Sequence, residues 1–195
     1  MSKFIRLILL GLLLPVLVGC GSANNGQKFN ATDITGADFG NALHLTDHTG
    51  KPRTLNDFKG KVVALFFGYM HCPDVCPTTL QDMKKTMKLL GVHANEAQVL
   101  FVTLDPERDT QALLAQFVTA FDPSFIGLYG TKEQTATVLK DFKIFAAKVE
   151  SKGRSGYTID HSAGMYVFDK TGKARLYVDY GSKPDLIAGD IQKLL

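Results

Sequence analysis

The fold is decided by the stretch Lys61-Val-Val-Ala-Leu-Phe-Phe-Gly-Tyr-Met-His-Cys-Pro-Asp-Val-Cys-Pro77. Its first half contains a continuous apolar run, residues 62–67, which is typical of a buried central strand. Its second half contains two cysteines, Cys72 and Cys76, and ends at a proline that opens a predicted helix. Two thiols between a buried strand and a helix start are suited either to redox exchange or to binding a soft metal.

Strands and helices alternate on both sides of this stretch. Leu80, Met83, Met87 and Leu90 follow helical spacing, so we predict a helix over residues 77–90 that ends at Gly91. The other predicted elements are a hairpin from segments 39–45 and 52–55, a strand over 98–104, helices from Thr110 and over 131–139, a strand over 145–150, a hairpin from segments 163–168 and 174–180, and a closing helix over 184–195.

This order of elements predicts the α/β class. Parallel strands with crossover helices, followed by an antiparallel edge, are what a thioredoxin-like fold requires. We therefore expect a central mixed β-sheet flanked by helices, with an N-terminal β-hairpin extension. The cysteines then fall at the carboxyl end of a central strand, where open sheets place their sites.

The N-terminal residues predict export. Lys3 and Arg6 precede an apolar stretch over residues 7–18 that is too short and too interrupted for a membrane span and fits a secretory signal. The run Leu17-Val-Gly-Cys20 resembles a bacterial lipobox. We expect residues 1–19 to be a lipoprotein signal peptide, 20–36 the lipid-anchored Cys20 with a flexible tether, and 37–195 one thioredoxin-like domain. The alternative is an uncleaved anchor helix. In either case the domain is expected to be anchored to a bacterial membrane, facing the periplasm or extracytoplasmic space.

The charge of the chain argues against a nucleic-acid partner. Removing residues 1–19 takes away Lys3 and Arg6 and no acid, which lowers the formal net charge from +3 to +1. The remaining sequence has no lysine and arginine cluster that resembles a phosphate-binding patch.

The two cysteines of the domain leave three interpretations open. A structural disulfide is the simplest for an exported chain, but closing so small a loop gives little entropic stabilisation. A helix N-terminus favours the thiolate form, which points to reactivity instead. The gap of three residues is one longer than in a thioredoxin-type redox pair and lets the two sulfurs splay around an ion. Soft thiolates favour copper(I) over harder ions.

A third ligand is sought among five histidines. His161 is the best placed, because it directly precedes a predicted strand in a region where this fold brings a loop against the cysteine turn. Asp160 beside it is a candidate to orient neighbouring groups. The alternative is a loop histidine bonded to backbone. The remaining histidines, His44, His48, His71 and His93, are predicted to be surface residues or to point away from the cysteines.

Charged residues near the cysteines have structural and functional interpretations. Asp74 lies between the thiols, where accepting backbone hydrogen bonds in the turn is favoured over a direct role. The loop Asp105-Pro-Glu-Arg-Asp109 follows a strand. It is expected to cap the next helix through Asp109 or Thr110, and Asp105 and Arg108 are also candidates for orienting site groups or for partner docking.

Three blocks, in this order, resemble the Sco/SenC family. They are Lys61 through Leu80, the run Val102-Thr-Leu-Asp-Pro-Glu-Arg-Asp-Thr110, and Asp160-His-Ser162. The resemblance covers residues 39–195 and implies a thioredoxin-like fold with one copper ion, Cu(I) or Cu(II), bound by Cys72, Cys76 and His161. It further implies a membrane-anchored protein whose partner is the copper-bearing subunit of cytochrome c oxidase.

Three hypotheses follow for function. The first is a copper metallochaperone for oxidase assembly, not a dedicated enzyme, with other copper chaperones or thiol reductants as further candidate partners. The second is a thiol–disulfide reductase without metal transfer, in which Cys72 attacks and Cys76 resolves, so that the pair is a redox-active disulfide. The third is a redox or copper sensor.

Overall fold

The computed structural model describes residues 28–150 and 156–195. The predicted signal peptide, Cys20, the first part of the predicted tether and most of the glycine-rich segment after β7 lie outside the described residues. The strands are β1 (Thr32–Asp33), β2 (Leu45–Asp47), β3 (Pro52–Arg53), β4 (Val62–Gly68), β5 (Ala97–Thr103), β6 (Ile126–Tyr129), β7 (Ala146–Glu150), β8 (Tyr157–His161), β9 (Met165–Phe168) and β10 (Ala174–Val178). The helices are α1 (Val75–Leu90), α2 (Gln111–Phe121), α3 (Lys132–Asp141) and α4 (Pro184–Gln192).

Within the described residues, eight strands form one mixed sheet in the order β1-β10-β9-β4-β5-β6-β2-β3. β4, β5 and β6 are parallel to one another. On one side β9 pairs antiparallel with both β4 and β10, and on the other side β2 pairs antiparallel with both β6 and β3. β7 and β8 pair with each other in a separate antiparallel sheet, which we call the site hairpin. The predicted α/β class, the thioredoxin-like architecture and the mixed sheet are confirmed.

β4 is the central element because both of its faces are covered. All seven of its residues are buried, as are all seven of β5, its parallel neighbour. Alternate side chains of a strand point to opposite faces, so β4 supplies Val62, Ala64 and Phe66 to one core cluster and Val63 and Phe67 to another. Burying one such aromatic side chain contributes about 1.5–3 kcal/mol. A strand this apolar stays in register and fixes where the cysteine turn begins.

Helices cover the two faces of the sheet. α1, α2 and α4 pack on the first face, with Leu80 and Met83 of α1 fully buried. α3 covers the second face through Val138, and Phe142, just beyond its end, is fully buried there. The two methionines at helical spacing in α1, Met83 and Met87, are therefore core residues.

The structure departs from the predicted elements in four places. The first strand of the predicted hairpin, over 39–45, is found at Leu45–Asp47. β6 was not predicted, because its four residues include Gly127, which breaks the apolar run. β8 was predicted as a loop, yet it pairs with β7 so that His161 lies opposite Ala146. β1 lies before residue 37, where the sequence analysis places the start of the domain, and it pairs with β10.

The N-terminal segment is held to α4 by one buried carboxylate. Asp190, 2% exposed, accepts hydrogen bonds from the backbone N–H groups of Asn30 and Ala31 at 2.8–3.0 Å and from Lys193 at 2.9 Å. Burial opposes ionisation, but these donors outweigh it and lower the pKa of Asp190. The folded unit thus includes residues from Asn30 onward.

No helix among the described residues is both long enough and apolar enough to span a bilayer.

Candidate metal centre

The two cysteines lie where β4 gives way to α1. Cys76 is in the first turn of α1 and is 1% exposed, while Cys72 lies in the preceding turn and is half-buried. The turn is closed by a hydrogen bond from the Cys72 N–H to the Tyr69 carbonyl at 3.2 Å. The Cys76 N–H points at the Cys72 sulfur, 3.5 Å away. The helix N-terminus therefore presents a backbone donor to a partly exposed thiol, as expected from the sequence.

The environments of the two thiols push their pKa values apart. The hydrogen bond from the Cys76 side chain is the largest influence that lowers the pKa of Cys72, to about 5, and backbone N–H groups of Asp74, Val75 and Cys76 add to it. The same hydrogen bond, together with burial, raises the pKa of Cys76. In the reduced, metal-free protein the pair therefore holds one thiolate and one proton at neutral pH.

Gly68, the last residue of β4, makes the close packing of Cys76 possible. A Cβ atom at this position would lie 2.6 Å from the Cys76 sulfur and 2.8 Å from the ring of Phe101. Only a residue without a side chain leaves room for the sulfur there. Sequence reasoning did not assign Gly68 a role; its place between an apolar strand and the cysteine turn was the available signal.

His161 ends β8 and faces the cysteines. Its Nε2 lies 3.9 Å from the Cys76 sulfur, and its Nδ1 lies 2.8 Å from the carbonyl oxygen of Ser162. A carbonyl can only accept, so Nδ1 carries the proton in this contact and the Nε2 lone pair of the neutral ring is directed to the sulfurs. The ring of Tyr69 packs edge to face against the imidazole of His161, with 6.0 Å between the ring centroids. The ring is thus held in the tautomer that a metal ligand needs.

The three side chains form one compact group. The sulfurs of Cys72 and Cys76 and a ring nitrogen of His161 all lie within 4.8 Å of one another. Two protein ligands at about 2.0–2.3 Å from a common ion lie up to about 4.5 Å apart, so a small closure would bring these atoms onto one ion. Two thiolate sulfurs and one imidazole nitrogen are a donor set for a soft or borderline metal. Among the described residues, this is the group of ligating side chains that can hold a metal ion.

Asp105 and Arg108 lie behind the group and hold the site hairpin. Arg108 forms an ion pair with Asp105, donates to the backbone oxygen of Tyr157 at 3.0 Å and stacks 3.6 Å from the centre of the Tyr157 ring. The Tyr157 hydroxyl donates to Asp105 at 2.7 Å. We call these three residues the hairpin anchor. Because β8 begins at Tyr157 and ends at His161, the anchor fixes the start of the strand that carries the candidate ligand. Asp105 is 1% exposed and so offers little surface to a partner.

The other two predicted acidic residues are exposed. Asp160 immediately precedes His161 on β8, and successive strand residues point to opposite faces, so it does not share the face of the imidazole. Asp74 is the N-cap residue of α1 and accepts a hydrogen bond from the Thr78 hydroxyl at 3.2 Å. The structure thus gives Asp74 a place in the turn, and the ring of His161 is bonded by the Ser162 carbonyl.

The remaining histidines lie apart from the group. His71 is directed at Asp109, with 3.7 Å between the ring nitrogen and the carboxylate. Asp109 is buried and accepts from the Met70 N–H at 3.0 Å and from the Thr103 hydroxyl at 2.5 Å. Burial raises the pKa of Asp109. Thr110, not Asp109, caps α2. His48 accepts a hydrogen bond from the Gly127 N–H, His93 contacts Glu96, and His44 is exposed.

Comparison with known proteins identifies relatives of the chain. The sequence profile of the family described as SCO1/SenC matches residues 31–195. An SCO2-like protein of Rickettsia felis is 35% identical over 148 residues, which cover 74% of this chain and 72% of the relative. The mitochondrial SCO2 homologue of Danio rerio is 37% identical over 140 residues, 71% of this chain and 49% of the relative, so the chain spans about half the length of that protein.

A solved structure of a Sco protein also resembles this chain. ScoI of Bradyrhizobium japonicum, determined with copper bound, superposes with a TM-score of 0.72 at 37% identity, covering 78% of this chain and 97% of that chain. The profile match extends over the whole described domain, and the Rickettsia relative is matched over most of its length. The chain belongs to the SCO1/SenC family.

Proposed function

We propose that this protein binds one copper ion through Cys72, Cys76 and His161 and delivers it for assembly of the copper centre of cytochrome c oxidase. The observation that carries the proposal is the clustering of these three ligand atoms within 4.8 Å. Two findings support it: a relative of 37% identity was solved with copper bound, and proteins of this family act in oxidase assembly.

The donor set favours copper over the other common metals. Calcium and magnesium require several oxygen ligands, and thiolate sulfur is a poor ligand for both. Structural zinc sites use four protein ligands and three-ligand zinc sites add a water, so this group of three meets the needs of zinc only with a water as the fourth ligand. Copper(I) accepts two thiolates and an imidazole, which suits the cysteines and the Nε2 of His161.

The exposure of the ligands indicates how copper would leave. Cys72 and His161 are partly exposed, while Cys76 is buried below them. A partner thiolate therefore approaches from the side of Cys72 and His161 and replaces one of these ligands first. Copper is the cargo in this exchange: each bond to a protein ligand is replaced by a bond to the partner, and no electron is transferred.

Membrane attachment belongs to the same proposal. We infer that residues 1–19 direct export and that lipid-modified Cys20 holds the domain at a bacterial membrane, facing the periplasm or extracytoplasmic space. The support is the sequence Leu17-Val-Gly-Cys20 and the polar segment that follows it. Mass spectrometry of the membrane-extracted protein would detect a diacylated N-terminal Cys20 if this inference is correct.

The copper proposal is tested by an anaerobic Cu(I) titration of the reduced protein against a competing chelator. We expect one tight equivalent in the wild type and an affinity at least tenfold lower in His161→Ala. His71→Ala is the matched control, because His71 adjoins Cys72 but is directed at Asp109, and it should bind copper as the wild type does. An absence of tight copper, or an affinity that is the same in His161→Ala, would overturn the three-ligand site.

A second candidate is thiol–disulfide reduction of a partner, favoured by the lowered pKa of Cys72 and the burial of Cys76. The Cys72 thiolate attacks a partner disulfide, forms a mixed disulfide and releases one partner thiolate. Cys76 then attacks the Cys72 sulfur, releases the second partner thiol and leaves a Cys72–Cys76 disulfide, so that two electrons pass to the partner. Cys76→Ser should stop at the mixed disulfide; full turnover by this variant would exclude the mechanism.

A further inference from the structure

A groove of about 330 Å³ lies between α3 and the site hairpin, on a part of the surface that the copper proposal does not use. Its helical wall consists of Lys132, Thr135, Ala136 and Leu139. This spacing of three, one and three places them on a single face of α3. The floor is apolar and includes Leu104 and Ile159.

The opposite wall is the edge of a strand. Ala146, Ala147 and Lys148 of β7 line the groove consecutively. Successive side chains of a strand point to opposite faces, so three consecutive residues line a groove when it runs along the strand edge. Within the described part of the chain, β7 pairs with β8 alone, so its outer edge offers unpaired backbone N–H and C=O groups.

A buried hydroxyl also lacks a partner at this place. Thr135 is 6% exposed, and its Oγ1 forms no hydrogen bond with any described residue. A buried hydroxyl without a hydrogen bond carries a desolvation cost, but this oxygen has under 1 Å² of accessible surface, so an occupant of the groove does not reach it in this conformation. The polar groups that an occupant can meet directly therefore lie on the strand wall.

The exposed rim of the groove carries two cations and one carboxylate, and the second carboxylate of the lining, Asp105, is buried and paired with Arg108. Glu107 forms ion pairs with both Lys132 and Lys148, so two cations share one carboxylate across the opening. An occupant with an acidic side chain would supply the missing negative charge. The ion pairs are exposed and individually weak, so they give selectivity more than affinity.

We propose that this groove binds an extended, acidic segment of the protein that receives the metal, which adds to β7 as a third strand of the site hairpin. An extended peptide matches the unpaired edge of β7 through its backbone. Ala146 lies opposite His161, and neighbouring strands are about 4.8 Å apart, so the bound segment passes about 10 Å from the strand that carries His161. The partner is thereby held with its own ligands within reach of Cys72. The proposal rests on the proposed function for the identity of the partner.

The test uses the full chain, reduced and metal-free, and the soluble domain of a copper-bearing oxidase subunit as the probe. We expect the backbone amide signals of residues 146–148 and of Thr135 to shift on mixing, and the amides of β7 to exchange more slowly with solvent. Ala136→Phe fills the groove from its exposed wall and should weaken binding at least tenfold. Thr137→Phe, exposed on α3 outside the groove, is the matched control and should bind as the wild type.

Two results would overturn the proposal. One is wild-type affinity in Ala136→Phe. The other concerns the amide shifts. The oxidase domain would produce no shift, or shifts confined to the cysteine turn, or a small apolar molecule would produce shifts that the oxidase domain does not. Because the probe is added without copper, these results are independent of the Cu(I) titration. Loss of copper binding in the titration would refute the metal site and leave the groove measurement unaffected.

Discussion

Gly68 and Cys76 approach so closely that a Cβ atom on Gly68 would stand 2.6 Å from the Cys76 sulfur. We predict that Gly68→Ala destabilises the fold by about 1–3 kcal/mol, because overpacking displaces the sulfur and the ring of Phe101. The copper affinity should fall as well, since the sulfur leaves its place 3.9 Å from His161. Urea unfolding and Cu(I) competition measure the two effects.

The control for this variant is Gly127→Ala. A Cβ at Gly127 would lie 2.6 Å from Leu114, a clash of similar severity against α2 and away from the cysteines. This variant should lose stability and keep its copper affinity. If both glycine variants bind copper as tightly as the wild type, Gly68 is a packing residue without influence on the site.

The Cys72 thiol should remain reactive in mild acid. The hydrogen bond from Cys76 and the backbone N–H groups lower its pKa to about 5, so the thiolate is present above this pH and is lost as the pH falls through it. Alkylation of the reduced, metal-free protein by iodoacetamide, followed by mass spectrometry, should show modification at Cys72 with this midpoint. Cys76, buried and with a raised pKa, should react far more slowly.

Removing the hydrogen bond tests the cause of this shift. Cys76→Ala eliminates the largest influence that lowers the pKa of Cys72, so the midpoint should move toward the ordinary thiol value of 9.0. A midpoint near 9.0 in the wild type itself would mean that the turn does not stabilise the thiolate.

The hairpin anchor should control the position of His161. Tyr157→Phe keeps the ring beneath Arg108 and removes the 2.7 Å hydrogen bond to the buried Asp105 carboxylate. Hydrogen bonds to charged groups contribute about 1.5–3 kcal/mol, so we expect the amides of β8 to exchange faster with solvent in the metal-free protein. Copper affinity should fall about three- to tenfold, because an ion would have to reorder the strand first.

Tyr166→Phe is the control for the anchor. Tyr166 also donates its buried hydroxyl, to the Phe142 carbonyl at 2.8 Å, but it belongs to β9 and the second core cluster. It should lower global stability by about 1 kcal/mol and leave β8 exchange unchanged relative to its neighbours. If the amides of β8 exchange at the same rate in Tyr157→Phe and Tyr166→Phe, the hairpin anchor does not control the position of His161.

The sequence was sufficient for the elements whose patterns are local. β4 and β5 are continuous apolar runs, and α1 has an unbroken helical spacing, so their existence followed directly. β6 did not, because Gly127 interrupts it and is needed there for the packing of Leu114. β8 was missed because its partner, β7, is largely exposed and mixes alanine and valine with charged residues, and pairing between two weak strands is decided by tertiary context.

The same distinction applies to the candidate metal centre. Two cysteines in a short motif and a histidine in a recognisable block were found from sequence, and the structure brings them together. The anchor was beyond sequence reasoning, because Tyr157 lies 52 residues from Asp105 and 49 from Arg108. The spacing of residues in the sequence also does not reveal that the Ser162 carbonyl sets the tautomer of His161, because this contact depends on the direction of the backbone after β8.

Asp190 is expected to be the main attachment of the N-terminal strand. Asp190→Asn replaces one acceptor oxygen with an NH₂ group that faces the N–H donors of Asn30 and Ala31, and it removes the charge beside Lys193. We predict a loss of about 2–4 kcal/mol at neutral pH, measured by urea unfolding. Asp185→Asn, at an exposed position of α4, should cost less than about 1 kcal/mol.

The stability difference between wild type and Asp190→Asn should depend on pH, because the folded state lowers the pKa of Asp190. The folded state lowers the pKa of Asp190 from 3.8, so its stabilising contribution is present above 3.8 and disappears as the pH falls through the lowered value. The difference between wild type and Asp190→Asn should therefore be constant near neutral pH and shrink in acid below 3.8. A difference that grows in acid would show that the carboxyl is protonated in the folded protein. In that case the N-terminal strand would be held by a neutral hydrogen bond in place of a charged one.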